Sequence, residues 1–329
     1  MKANSLKGLA KFCAAISIAA VSISAAAATA ASYPAKPVRI VVAASAGSNP
    51  DLIARIYAQK LGELYSQSFY VENKPGAGGN IGLGYASKLP PDGYSLVIGA
   101  LGNLAISPSV YTRLSYDAKK DFTPVAQFVE SPLVLAVATS SPIRTFEDLI
   151  KQAKAKPSKL TFASAGNGTG MHLAGEYLNA AAGIKLMHIP FSSTSAAVIS
   201  VASGEVDVVF GNQAGVWPLV SSGKLRALAV TSKKRLSNHP DTPALEEKLK
   251  NFEIYDWTGL LAPAGTPEKI IDDLHTKIMK IQAMPDVRHQ LEMSGFLPVE
   301  STRDEFRKFI DSERQKWGGV AKRVNIKLD

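Results

Sequence analysis

Residues 38–51 read Val38-Arg39-Ile40-Val41-Val42-Ala43-Ala44-Ser45-Ala46-Gly47-Ser48-Asn49-Pro50-Asp51, and the fold class turns on that order. Val38, Ile40, Val41 and Val42 form a β-branched run that predicts a buried strand. The next seven residues carry no bulky side chain and predict a turn. Asn49 suits an N-cap, Pro50 the first helical position, and Asp51 the first-turn dipole. A strand, a small-residue turn and a helix N-terminus together aim free backbone N–H groups at one place, a geometry that binds anions. The same pattern is also the ordinary building unit of an α/β domain.

Outward from this stretch, strands and helices alternate. Leu52, Ile53, Ile56, Tyr57, Leu61 and Leu64 recur at helical period over residues 50–64. Phe69-Tyr70-Val71 predicts a strand, and residues 74–80, Lys-Pro-Gly-Ala-Gly-Gly-Asn, a glycine-rich turn into a helix near 80–88. A strand over 94–99 leads to the loop Ala100-Leu101-Gly102-Asn103. Residues 122–139 read as two apolar strand runs broken at Glu130-Ser131-Pro132, where we place a first crossing between two lobes. Thr145 and Asp148 predict a capping box. A strand over 160–163 runs into a second glycine-rich loop, Ser164-Ala165-Gly166-Asn167-Gly168-Thr169-Gly170, with a helix to about Ala182. Strands follow over 186–189, 206–210 and 225–230, then a polar, loop-rich segment over 231–255. A strand over 257–261 returns to the first lobe. Thr266-Pro267 opens a helix, and Thr302 with Glu305 caps the last one. Two strand–glycine loop–helix units, one per lobe, present two helix N-termini to a shared cleft, an arrangement suited to a small carboxylate.

The first thirty residues are read as a leader rather than as fold. Lys2, Lys7 and Lys11 precede an apolar run over 12–23, and Ala28-Thr29-Ala30 fits a cleavage site. Export and removal of residues 1–30 are expected, and with them Cys13, the chain's single cysteine. The mature protein is thus expected to hold no disulfide and to rely on core burial. No mature segment is long and apolar enough to span a bilayer. The formal charge of +9 is spread along the chain. Lys233-Lys234-Arg235 is the only basic run of three, and no aromatic residues interleave with it, so nucleic acid is not expected as a partner.

Enzymatic signatures are missing. Gly76-Ala77-Gly78-Gly79-Asn80-Ile81 departs from a dinucleotide fingerprint at Ile81 and follows Pro75 rather than a strand. His172, His188, His239, His275 and His289 show no zinc spacing, and there is no nucleophile elbow or P-loop. No cofactor and no metal are expected. His172, in the first turn after the second glycine loop, either contacts ligand or packs. Asp51 either orders its loop or bonds a ligand hydroxyl or amine, and Ser45, Ser48 and Asn49 either donate to a carboxylate or satisfy the turn.

The mature chain resembles the Bug family, the TctC-like substrate-binding proteins of tripartite tricarboxylate transporters. The resemblance is carried by YPAKPVRIVV at 33–42, VENKPGAGGNIG at 71–82, PPDGYSLVIG at 90–99, GNGTGMHLAGE at 166–176, GKLRALAVTS at 223–232 and GLLAPAGTP at 259–267. It implies a two-lobed α/β periplasmic binding protein of the Venus-flytrap, type II-like class, each lobe a mostly parallel sheet flanked by helices. The implied organisation is a leader over 1–30, lobe 1 over 31–131 and 232–329, and lobe 2 over 132–231. The implied function is capture of a small organic carboxylate and delivery to the inner-membrane permease subunits of a tripartite transporter. The chain is expected to act as a monomer in the periplasm. A receptor signalling to a membrane sensor, or an enzyme using the same cleft, are the alternatives.

In that family two loops form a pincer on one ligand carboxylate, through backbone amides and ordered waters. The matching loops here are residues 43–51 and 164–172. The resemblance therefore puts Ala44, Ser45, Ser48, Asn49 and Asp51 at the site, with Leu101 and Asn103 beside them. From the second lobe come Ser164, Asn167, Gly168, Thr169, His172, Phe191 and Asn212. The first loop departs from the family pattern P-F-P-P-G-G-x-x-D, keeping only Gly47 and Asp51. Pro190-Phe191-Ser192-Ser193 stands where P-Y-K-G is frequent, and Gly211 where an acid precedes the asparagine. These losses of charge lead to the expectation that the far part of the ligand is read by shape and neutral hydrogen bonds.

Overall fold

The structure, a computed structural model, describes residues 33–324 and 326–328. The expected leader, its cleavage site and Cys13 lie outside the described residues. Contacts divide the chain into Met1–Lys36 and Pro37–Asp329. All strands and helices of the described residues belong to the second unit.

The first third of that unit holds β1 (Val38–Val42), α1 (Asn49–Tyr65), β2 (Phe69–Asn73), α2 (Asn80–Ala86), β3 (Ser95–Ala100) and the short α3 (Ser107–Val110). A 17-residue strand, β4 (Phe122–Ala138), follows. Next come α4 (Phe146–Ala155), β5 (Thr161–Ser164), α5 (Gly170–Ala182), β6 (Met187–Pro190), α6 (Thr194–Ala202), β7 (Val208–Asn212), α7 (Gln213–Ser221) and β8 (Leu225–Val230). The chain closes with β9 (Tyr255–Pro263), α8 (Glu268–Gln282), α9 (Pro285–Met293), β10 (Leu297–Pro298) and α10 (Arg303–Val324).

The ten strands form one sheet in the order β2-β1-β3-β9-β4-β7-β5-β6, with β8 and β10 each paired to β4. β4 belongs to both halves. From Phe122 to Pro132 it pairs antiparallel with β9, and from Leu133 it pairs with β7 and β8. The two apolar runs expected over 122–139 are thus one strand whose partners change at Pro132/Leu133. The sheet is mixed. Strands β2-β1-β3 and β6-β5-β7 run parallel, as their crossover helices require, while β9, β4, β8 and β10 enter antiparallel pairs.

Local chemistry accounts for the helix ends. Thr145 and Asp148 cap α4 reciprocally, and the Glu305 amide donates to Thr302 Oγ1 while Glu305 Oε2 accepts from the Thr302 amide, at 3.2 and 2.8 Å. At α1 the cap is Ser48, not Asn49, because Ser48 keeps an extended backbone and Asn49 has already entered the helix. The buried face of α1 comprises Ile53, Ala54, Ile56, Tyr57, Ala58 and Leu61. Leu52 is 38% exposed, since the stripe that meets the sheet is narrower than the apolar pattern. Tyr57 stacks on Phe128 of β4 at 3.7 Å between ring centroids, pinning α1 to the sheet. Phe306, Ile310 and Trp317 of α10 are buried, each worth about 1.5–3 kcal/mol as apolar surface removed from water.

The passages between the halves are tied together by one hydroxyl. Leu133 N donates to Thr231 Oγ1 at 2.7 Å, and that hydroxyl donates to the Ile254 carbonyl at 2.6 Å. Thr231 N in turn donates to the Leu133 carbonyl at 2.9 Å, and Ile254 N to the Thr231 carbonyl at 3.0 Å. Thr231 is fully buried. It joins β4, the exit from β8 and the entry to β9.

Candidate functional site

Three loops leave the C-terminal ends of parallel strands and meet. The first runs from β1 to α1, the second from β2 through residues 76–79 to α2, and the third from β5 to α5. The segment after β3 lies among them; it is not the loop expected over 100–103 but a wide helical turn, Gly102–Ile106, that runs into α3. Ala43 packs so closely on this group that a methyl on Gly82 would stand 2.6 Å from its Cα, and one on Gly79 2.9 Å from its carbonyl oxygen. Gly79 also abuts the Asn103 side-chain nitrogen.

Contact then passes to the other half of the sheet. A methyl on Gly78 would stand 3.0 Å from the Asn167 carbonyl oxygen, and one on Gly102 3.1 Å from the Gly168 carbonyl oxygen and 3.7 Å from Thr169 Cα. Gly78 has φ +64°, a conformation glycine adopts at no steric cost. The β1 and β5 units are therefore linked by a chain of backbone approaches that side chains would block.

The first loop is organised by Asp51. Its carboxylate accepts from Gly47 N at 2.9 Å, Arg55 Nε at 3.0 Å and Asn73 Nδ2 at 2.9 Å. Burial pushes its pKa up, but those three donors outweigh burial and hold it below the usual value. Asn73 also donates to the Ala44 carbonyl at 3.1 Å, fastening the loop to β2. With three donors on it, Asp51 builds the loop. Ser45 is exposed. Ser48 Oγ is shielded from solvent and has no hydrogen-bond partner among the described residues, so it remains able to donate. Asn49 starts α1, and Pro50 removes one of the amides that a helix N-terminus usually offers.

The third loop is built the same way. Thr169 caps α5, its hydroxyl accepting from His172 N at 3.3 Å and donating to the Gly166 carbonyl at 2.8 Å. Gly168 N donates to His172 Nδ1 at 3.2 Å. The His172 ring stacks on His188 at 4.0 Å, and His188 Nε2 is hydrogen-bonded to Ser164 Oγ at 2.6 Å. Burial holds both imidazoles neutral, His172 down to about 3 with His188 adding to the shift, and His188 down to about 4. His172 buttresses the loop through Nδ1, and Ser164, fully buried, belongs to the same network. The amides of Gly170 and Met171, at the start of α5, have no partner within the helix ladder.

Other expected residues make contacts within the fold. Asn103 Oδ1 accepts from Ala100 N at 2.9 Å, and its carbonyl lies 2.6 Å from the Tyr116 hydroxyl. Asn212 caps α7 by accepting from Gly215 N at 2.8 Å. Leu101 is buried, its Cδ2 beside Gly170. Phe191 is partly buried in the core of the β5–β7 half, and its amide donates to the Ser164 carbonyl at the start of the third loop at 2.9 Å. Asn167 is exposed.

Two residues at the site carry no local signal in the sequence. Tyr111 reaches Gly168, its Cε2 3.1 Å from where a methyl there would stand, and bridges to Leu328 in the C-terminal tail. Asp256 of β9 brings Oδ1 to 3.7 Å from the corresponding position on Gly170. Among the described residues no group of three His, Cys, Asp or Glu could hold a metal ion.

Comparison with known proteins agrees with this geometry. A family model described as the tripartite tricarboxylate transporter family receptor (TctC) matches residues 53–326. A UPF0065 protein of Pseudomonas sp. (strain P51), from a tcbD-tcbE intergenic region, is 35% identical over 288 residues, covering 87% of this chain and 85% of its own. The structure of R. palustris Rpa4515 with adipate superposes with a TM-score of 0.85 at 31% identity, covering 90% of this chain and 99% of that one. The periplasmic binding protein BugD does so with a TM-score of 0.83 at 30% identity, covering 90% and 100%.

Proposed function

This chain belongs to the tripartite tricarboxylate transporter receptor family, and on that premise we propose that it captures a small organic carboxylate between its two lobes and hands it to the membrane subunits of such a transporter. The family and its structural neighbours are solute-binding receptors, not enzymes. The proposal extends to the compartment and the partner: export to the periplasm, loss of the leader near Ala30, and delivery by a monomer to a permease.

One observation carries the reading. The loops after β1, β2 and β3 meet the loop after β5, and both the β1 and β5 units end at a helix N-terminus. Amides and a dipole at each end favour an anion. The carboxylate would be held by the open amides of Gly170 and Met171 on one side, with Ser48 Oγ and the first-loop amides on the other. Adipate in the Rpa4515 structure is a ligand of this class. Division into 31–131 with 232–329 and 132–231 is supported by the change of partners along β4 at Leu133 and by Thr231 at the return.

The test is thermal unfolding of residues 31–329, stripped of carried-over ligand by unfolding and refolding, against a panel of organic acids, amines and sugars. A ligand at a hundred times its dissociation constant adds about 2.7 kcal/mol, several degrees in midpoint for a chain of this size. A rise confined to carboxylates supports the reading. A rise with sugars or amines alone refutes it.

A further inference from the structure

Asp256 is a carboxylate without a counter-ion. It lies on β9 opposite Ser131, in the last pair but one of the β4–β9 register and two residues before β4 takes β7 at Leu133. Its one hydrogen bond among the described residues is to the amide of the next residue, Trp257 N, at 3.1 Å. No described arginine, lysine or histidine forms an ion pair with it. The side chain is half-buried, and burial pushes its pKa up to about 6. An unpaired acid in such surroundings costs stability, and groups of this kind gather at functional sites.

Its position gives it a use. Oδ1 approaches Gly170, the first residue of α5, and shares that approach with Leu101 from the turn after β3. It therefore stands beside the open amides that the proposed function assigns to the ligand carboxylate. Its pKa shift comes from burial, with the Trp257 amide opposing it, and no neighbouring charge contributes. Glu130, paired with Trp257, stands on the other face of the strands. An uncompensated carboxylate attracts a cation.

We infer that Asp256 is a specificity-determining residue, its carboxylate taking the ammonium group of a ligand whose own carboxylate is held at the start of α5. This rests on the receptor reading above and narrows it to amino acids bearing the ammonium next to the captured carboxylate. A charge-assisted bond to Asp256 supplies the missing counter-ion.

The experiment is calorimetric titration at pH 7.5 with matched series: succinate, malate and aspartate; glutarate, 2-hydroxyglutarate and glutamate; propionate, lactate and alanine. In whichever series binds, the amino acid is expected to bind at least tenfold more tightly than the unsubstituted acid. Asp256→Asn is expected to lower amino-acid affinity tenfold or more and to leave the unsubstituted acid unchanged or tighter. Should that variant not fold, the wild-type series carries the test by itself. An unsubstituted or hydroxy acid binding as tightly as its amino counterpart overturns the inference. So does a variant that weakens all three members alike, the result of a purely structural role. If no carboxylate of any series or panel binds, the receptor reading itself falls.

Discussion

The imidazole of His172 stacks on that of His188 with 4.0 Å between ring centroids, and the pair stands behind the loop that opens α5. Both rings are neutral in the folded protein, with pKa values lowered to about 3 and about 4. The unfolded chain takes protons near the ordinary value of 6.5. Depressed values of this kind contribute stability that is fully present above 6.5 and is lost as pH falls toward 4 and then 3. Urea unfolding at pH 7.5, 6, 5 and 4 is expected to show a progressive loss of about 3 kcal/mol or more from this pair. His188→Gln is expected to be less stable at pH 7.5 and flatter across that range. A variant with the wild-type slope would show that acid lability arises elsewhere.

Asp51 supports the first loop in the same indirect way. Asp51→Ala strands the donors of Gly47, Arg55 and Asn73. Arg55 and Gly47 are reached by water, so the expected cost is about 2–3 kcal/mol rather than the sum of three lost bonds. Ligand affinity is expected to fall as well, because the loop amides lose their aim. Asn73→Ala and the double variant close a cycle, in which coupling of about 1 kcal/mol is expected from the direct bond.

Gly102 separates folding from binding. Its φ is unremarkable for any residue, and the space a side chain would need is occupied by Gly168 and Thr169 of the opposite half. Gly102→Val is expected to push the two loops apart. Ligand affinity should fall tenfold or more, while the chemical unfolding midpoint of the unliganded protein shifts little. A variant that binds normally would show that the loops need not approach so closely for capture.

These residues show how far the sequence could be read. Thr145, Thr302 and the strand over 225–230 were legible because their signals are local: a cap three residues from its partner, or an apolar run between turns. The family motifs located the loops. They did not separate residues that face a ligand from residues that hold the loop. Asp51, Thr169 and His172 have the chemistry to bind solute, yet each also bonds a backbone group of its own turn, and Asp51 bonds the side chains of Arg55 and Asn73 as well. Asp256 left no trace beside the apolar run that follows it. It reaches Gly170 only through the register of β9 on β4, a pairing across more than a hundred residues. The helix Pro285–Met293 was missed for a different reason: it buries only Val287 and Leu291, too few for a periodic stripe.

Thr231 makes the last prediction. The two passages between the halves are adjacent, and one side chain bonds both: its hydroxyl accepts from Leu133 N and donates to the Ile254 carbonyl. Thr231→Val keeps the shape and removes the oxygen, leaving a buried amide and a buried carbonyl unpaired. Each orphan costs about 1–3 kcal/mol, although the second pair of bonds, through the backbone of residue 231, survives. A loss of about 2–4 kcal/mol is therefore expected in urea unfolding. Thr231→Ser keeps the hydroxyl and should recover most of it. Because the strands crossing here carry one half of the sheet relative to the other, Thr231→Val is also expected to change ligand affinity although it lies outside the pincer loops. Small-angle scattering with and without a bound carboxylate reads that effect. If Thr231→Val and wild type contract equally on binding, the residue secures the fold without setting how the halves move.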